Sequence, residues 1–248
     1  MTNFLKIENF KGSLREHILK IRPYSNLRKC LNGSPNILNI CKKFNINFSK
    51  VVEVGPSWPD VVAAKDIIND KEIKNKEIIL IEARKNVCEA LEQAYKHLQN
   101  VKIINCAISR KKGIATMYDY NHSTFLEGLN SPHVINQGPA GISPAKPNRG
   151  TGKTFNVECD TFDAFDEGDI DILLMDMEGA EFFVIEKMIS RPSLIVCETH
   201  SLNPDLLDKK YINPYIDEIA QWMEEMDYSL YQLTYGDSVF IKNILLEK

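Results

Sequence analysis

From Lys50 onward, short apolar runs recur along the chain: VVEV at 51, IILIE at 78, VKIINCAI at 101, IDILLMD at 170 and SLIVCE at 193. Runs this short and this continuous suit strands buried on both faces. Three of the gaps between them, at about 60–70, 84–98 and 180–189, place apolar residues at amphipathic helical spacing. Strands alternating with helices predict an α/β domain on a mostly parallel sheet with both faces covered. YSLYQLT from 228 and SVFIK from 238 are separated only by a YGD turn, which predicts an antiparallel hairpin closing one sheet edge. The preceding helix, about 214–226, is expected to begin at Pro214, because a first helical position has no use for the missing N–H.

Two stretches depart from this texture. Residues 13–45 carry helical spacing (Leu14, Ile18, Ile21) broken by Pro23 and by NGSP at 32–35. They read as two or three short helices, an N-terminal helical extension over 1–49 that caps a main domain over 50–248. Residues 121–155 hold nine glycines and prolines with little periodicity. A segment of this kind inside a compact domain reads as a lid-like insertion or as a disordered one. It contains RGTGKT at 149–154, but a phosphate-cradling loop needs a glycine where Pro147 stands and a strand before it. The match is loop composition.

Composition narrows the function classes. The 248 residues are 44% hydrophobic and 26% charged, enough for one sizeable core, with a net charge of -4. No basic footprint argues for a nucleic-acid partner. The six cysteines show no paired metal-ligand spacing and mostly sit in apolar runs, so a reduced, cytoplasmic protein is the expectation. MTNFLKIENFKGSLREH is too polar for a signal peptide, and no apolar stretch approaches a membrane span.

The chemistry begins in VVEVGPSWPD at 51–60, where an apolar strand runs into a single glycine. Pyrophosphate binding needs several glycines and free backbone N–H groups, and Pro56 and Pro59 offer none. That disfavours a nicotinamide-dependent dehydrogenase. S-Adenosyl-L-methionine (SAM) carries no phosphate, so one glycine with polar groups such as Ser57 and Asp60 could be enough for it. The alternative is that Gly55 marks only a strand-to-helix turn. Glu82 ends the second strand, 27 residues after Gly55. An acid there accepts hydrogen bonds from ribose hydroxyls in nucleoside-binding α/β folds.

The stretch from Val157 to His200 resembles the signature region of the FkbM family of SAM-dependent methyltransferases. It shows Thr161-Phe162-Asp163, then a strand ending in Asp176, then Glu178-Gly179-Ala180-Glu181, then a strand ending near Glu198 and His200. IILIEARKNVCEAL matches the family through Glu82, and NCAISRKKGIATMY through Ala107, Ile108, Ser109 and Gly113. The likeness spans roughly 50–200. The family usually has Gly-Ala-Asn-x-Gly where this chain has Gly55-Pro56-Ser57-Trp58-Pro59. The resemblance implies a class I, Rossmann-like methyltransferase fold with SAM as cofactor.

The expected cofactor set comprises Glu53, Gly55, Pro56, Ser57 and Asp60, then Glu82 and Ala83, Cys106 and Ala107, and Asp176. Asp176, Glu181 and His200 are the candidate catalytic residues, with His200 as general base because its pKa suits neutral pH. A divalent ion held by Asp176 and Glu198 is the competing arrangement, and the metal-free route is favoured. The expected reaction is O-methylation of a hydroxyl on a small-molecule acceptor, such as a sugar. A non-catalytic binding or assembly module on the same fold is the rival reading.

Overall fold

The protein is described by a computed structural model covering residues 35–70, 75–119, 124–126, 153–199, 213–234 and 236–246. Its first strands are β1 (Lys50–Val54), β2 (Glu77–Glu82), β3 (Val101–Asn105), β4 (Ala107–Ile108), β5 (Gly113–Asp119) and β6 (Thr124–Leu126). Then come β7 (Lys153–Asp160), β8 (Ile172–Met175), β9 (Leu194–Glu198), β10 (Tyr228–Leu233) and β11 (Asp237–Lys242). The helices are α1 (Ile37–Phe44), α2 (Lys65–Ile68), α3 (Lys85–Tyr95), α4 (Glu181–Lys187) and α5 (Ile216–Glu225).

Among the described residues, seven strands form the main sheet in the order β10-β11-β9-β8-β1-β2-β3. The pairs β3–β2, β2–β1, β1–β8 and β8–β9 are parallel, while β11 runs antiparallel to both β9 and β10. Side-chain alternation divides the apolar residues between two faces. Val52, Val54, Leu173, Met175 and Ile195 pack under α4 and α5. Val51, Leu80, Ile172, Leu174 and Val196 pack under α1, α2 and α3. The chain steps outward from β1 through β2 to β3, then returns to place β8 on the other side of β1. The carboxyl ends of β1 and β8 therefore flank a topological switch point, where open α/β sheets bind ligands.

The α/β class, the mostly parallel sheet and the C-terminal antiparallel hairpin agree with the sequence pattern. Several details differ. The hairpin's second strand, β11, lies inside the sheet and β10 forms the edge, because β11 pairs with β9 from Asp237↔Glu198 to Ile241↔Leu194. VKIINCAI is not one strand. Cys106 N still donates to Glu82 O beside β2, after which the chain turns away and Ala107 pairs with Cys159 in a second sheet, β4-β7-β5-β6. The helix expected over 60–70 is a single turn, Lys65–Ile68, because both Glu53 carboxylate oxygens tie down the N–H groups of Ala63 and Ala64 just before it. Helix α5 starts at Ile216, not Pro214, since Asn213 Oδ1 accepts from Tyr215 N and forms a turn around the proline. The two ends of the 121–155 segment, at 124–126 and 153–155, belong to strands of the second sheet. The rest of that segment, and residues 1–34 of the N-terminal extension, lie outside the described residues.

Candidate active site

The turn after β1 is shaped by the approach of β8. Gly55 has φ +79, and a Cβ at this position would lie 1.9 Å from the Asp176 carbonyl oxygen. Only glycine lets the two strand ends come this close. Gly55 N donates to Ile81 O at 2.9 Å, so the turn is also tied to β2. Ser57 follows in the left-handed region, at φ +57. Glu53, one residue inside the strand, is buried beneath the loop and accepts from Ala63 N and Ala64 N at 2.8 Å each. Burial pushes its carboxyl up to about 7, against the pull of those two N–H donors.

At the end of β2, Glu82 and Arg84 are both buried and form an ion pair at 3.2 Å. Glu82 Oε1 accepts from Arg84 N and Nε, and Oε2 accepts from Ser57 N at 3.2 Å. Arg84 Nη2 donates to Ser57 Oγ at 3.1 Å. The β1 turn is thus held by side chains from β2, not by further glycines. Beside this cluster, Ala83, Cys106, Ala107 and Ile108 make an apolar wall that Met117 and Leu126 of the second sheet extend. Burial pushes the Cys106 thiol up to about 11, so it serves as wall and not as nucleophile.

The third side is acidic. Asp176 leaves β8 and opens into the cleft, where its side chain is solvent-exposed. Glu178, at φ +54, and Glu198 from the end of β9 approach it, and the three carboxylates bring ligand atoms within 4.8 Å of one another. Asp237, whose own carboxyl is raised by burial, lies beside Glu198 in the β9–β11 register. Desolvation by the walls, then the Glu178 charge, push Asp176 up to about 7, and a hydrogen bond with Glu198 draws it back. Desolvation and the Asp176 charge push Glu198 well above the usual carboxylate range. Both carboxyls are thus held above the ordinary carboxylate range, each partly by the other's charge or by a neighbouring one, and the pair is placed to share a proton.

Glu181 sits apart from the cleft. It is fully buried, its Oε1 accepts from Met177 N at 2.8 Å and Gly179 N at 3.3 Å, and Asn213 Nδ2 donates to its Oε2. Its carboxylate holds the turn that carries Asp176 and Glu178.

These walls enclose a cavity of about 650 Å³ at the carboxyl ends of β1, β2 and β8, a size that suits a small-molecule ligand. It gathers all ten residues of the expected cofactor set: Glu53, Gly55, Pro56, Ser57, Asp60, Glu82, Ala83, Cys106, Ala107 and Asp176. Trp58 also lines it. Of the expected catalytic residues, Asp176 lines the cavity, Glu181 supports it from beneath, and His200 lies outside the described residues. Sequence reasoning assigned no role to Arg84, Glu178 or Asp237. Glu178 belongs to the Glu178-Gly179-Ala180-Glu181 element, so the motif itself marks it. Arg84 and Asp237 carry no such mark, since only the β1 turn and the hairpin register bring them in.

The sequence profile described as the Methyltransferase FkbM domain matches residues 60–230. The chain belongs to the FkbM methyltransferase family. No curated protein matches the chain by sequence. Among solved structures, this FkbM protein is similar to the methyltransferase FkbM of Methylobacillus flagellatus KT, at 12% identity and a TM-score of 0.43. That alignment covers 78% of this chain and only 43% of the other, so the chain spans less than half of that protein's length. A SAM-dependent methyltransferase from Aquifex aeolicus aligns over 94% of this chain and 97% of its own, at 12% identity and a TM-score of 0.43. The SAH-bound methyltransferase PaMTH1 of Podospora anserina aligns over 92% and 86%, at 12% identity and 0.39.

The cofactor of this FkbM protein is SAM, and the residues present fit it. Glu82, buried at the end of β2, has three donors on a carboxylate that offers about four acceptor positions, which leaves room for a ribose hydroxyl. The apolar wall at Ala107 and Ile108 suits a purine, and the turn at Gly55 leaves the crevice open beside Asp176.

Proposed function

We propose that this protein transfers the methyl group of SAM to a hydroxyl of a small-molecule acceptor, a sugar or similar polyhydroxy metabolite. The observation that carries this reading is the Asp176–Glu198 carboxyl pair at the acidic wall of the cavity. SAM supplies a methyl group made electrophilic by its sulfonium. A hydroxyl oxygen is a poor nucleophile until its proton is accepted, and a positioned base contributes typically about 10²–10⁴-fold. Asp176, paired with Glu198 on the cavity wall, would take that proton. Holding the acceptor in line with the methyl group lowers the barrier by several kcal/mol more. Glu178 and Asp237 extend the same wall and offer acceptors to the acceptor's other hydroxyls. Glu181 positions Asp176 through the turn and does not meet the acceptor. His200, one residue beyond Thr199, is the second candidate for the proton.

The test is an acceptor panel of sugars and hydroxylated metabolites with SAM, read by S-adenosylhomocysteine (SAH) release and by NMR of the product. A new methoxy group is expected. Methylation only at nitrogen or carbon, in a panel that also carries amines, overturns the hydroxyl assignment. Asp176→Asn and His200→Ala, assayed in parallel, should separate the two bases. The residue that accepts the proton loses about two orders of magnitude in turnover or more. Activity lost with EDTA and restored by magnesium would instead assign Asp176, Glu178 and Glu198 to a cation.

A further inference from the structure

The β1 turn of this protein has only Gly55 where nucleoside-binding loops usually carry several glycines, and side chains at the end of β2 and just beyond it contact the turn instead. Besides the Gly55 N–Ile81 O bond, two links reach Ser57 from the end of β2 and the residues after it. Ser57 N donates to Glu82 Oε2 at 3.2 Å, and Arg84 Nη2 donates to Ser57 Oγ at 3.1 Å. Arg84 also fixes Glu82 itself, since its N and Nε both donate to Oε1, at 2.8 and 3.2 Å. Arg84 and Glu82 are each at most 5% exposed, so this is a buried cluster and not a surface pair. A planar guanidinium can hold a carboxylate and a hydroxyl at fixed angles at once, which a lysine ammonium does not do. With Oε1 occupied twice and Oε2 once, the carboxylate retains a single acceptor position, on Oε2.

We propose that Arg84 is a cofactor-positioning residue: it locks Glu82 against Ser57 so that Glu82 receives one ribose hydroxyl of SAM, through Oε2. This inference rests on the family's cofactor and is independent of which acceptor is methylated. Arg84 takes over the part played elsewhere by loop glycines. It shapes the turn around Pro56 and orders the carboxylate before the cofactor arrives. A group already in place loses less freedom on binding.

The experiment measures SAH affinity by calorimetry for the wild-type chain, Arg84→Gln, Arg84→Lys and Ser57→Ala. Each is titrated with SAH and with its 2′-deoxy and 3′-deoxy ribose analogues, and thermal unfolding is followed in parallel. Arg84→Gln should weaken SAH about tenfold, as loss of a charge-assisted hydrogen bond does. Arg84→Lys should fall between it and wild type, since it keeps the charge and loses the fork. The wild type should be sensitive to one missing hydroxyl far more than to the other. For the analogue lacking the critical hydroxyl, the Arg84→Gln penalty should shrink to within about twofold. A purely structural Arg84 would instead weaken all three ligands by the same factor, which overturns the proposal, as does SAH affinity in Arg84→Gln within twofold of wild type. Should Arg84→Gln fail to fold, Arg84→Lys and Ser57→Ala carry the same comparison. Failure of the wild type to bind SAH at all would remove the cofactor from this cleft, and the clamp with it.

Discussion

Gly55 is where sequence, backbone and site meet in one residue. At φ +79, with the Asp176 carbonyl 1.9 Å from where a Cβ would stand, it fixes how closely β1 and β8 approach. Gly55→Ala adds left-handed strain of roughly 1–2 kcal/mol even before the clash is relieved. Thermal unfolding should show a drop of roughly 4 °C or more, and calorimetry a loss of SAH affinity; an unchanged variant would mean that the turn can open away from β8. Trp58 gives a second residue-level test. It lines the cavity, whereas Trp222 packs under Arg191 and against Tyr228. SAH should change the emission of wild type and of Trp222→Phe, and leave that of Trp58→Phe unaltered. Residues at strand ends, such as Gly55, Glu82, Asp176 and Glu198, were legible in the sequence because a parallel sheet delivers its strand ends to one rim. Arg84 and Asp237 were not, because their parts depend on contacts across 27 residues in one case and on a hairpin register in the other.

Among the elements, the turn from β8 into α4 separates the acids of one sequence motif by geometry. Asp176, Glu178 and Glu181 stand on one short stretch, but two face the cleft and the third folds back beneath them. Glu181 gathers Met177 N, Gly179 N and Asn213 Nδ2, and Asn213 in turn reaches Glu198 O at 3.3 Å. The start of α4, the end of β9 and the turn before α5 are joined through this one carboxylate. Glu181→Ala leaves buried donors unsatisfied, at roughly 1–3 kcal/mol for each. Urea unfolding should show that loss of stability, and turnover should fall with it because Asp176 loses its fixed position. A variant with wild-type stability and no turnover would instead place Glu181 in the chemistry. Periodicity gave the central strands and α3, α4 and α5 within a few residues, since their buried faces are continuous. It did not separate β3 from β4, because an apolar run carries no mark of which sheet it joins. Nor did it show that α2 is a single turn, because the cause is Glu53, ten residues upstream.

For the whole molecule, the concentration of acids at one end of the sheet sets how stability responds to pH. Glu53, which lies beneath the β1 loop and not in the acidic wall, gives the cleanest case. Its carboxyl ordinarily titrates at 4.5 and is pushed up to about 7 by burial, with Asp176 and Asp66 adding like charge. Between those values the folded protein holds a proton that the unfolded chain has released. The unfolded state therefore binds fewer protons, and stability falls as pH rises through this window. The contribution is fully present below about 4.5 and lost above about 7, on the order of 3 kcal/mol in total. Glu181, fully buried and raised to about 7 chiefly by that burial, acts in the same direction. Asp160, held below its usual value by Lys112, titrates beneath the window and does not offset them. Urea midpoints measured at constant ionic strength should thus decline from pH 5 to pH 8, the reverse of a protein whose carboxylates are stabilised by cations. Glu53→Gln should flatten that slope whatever it does to the midpoint at pH 5, because it removes the titrating group while keeping one acceptor for Ala63 or Ala64. A slope that survives unchanged in Glu53→Gln would show that Glu53 is ionised in the folded protein throughout the range.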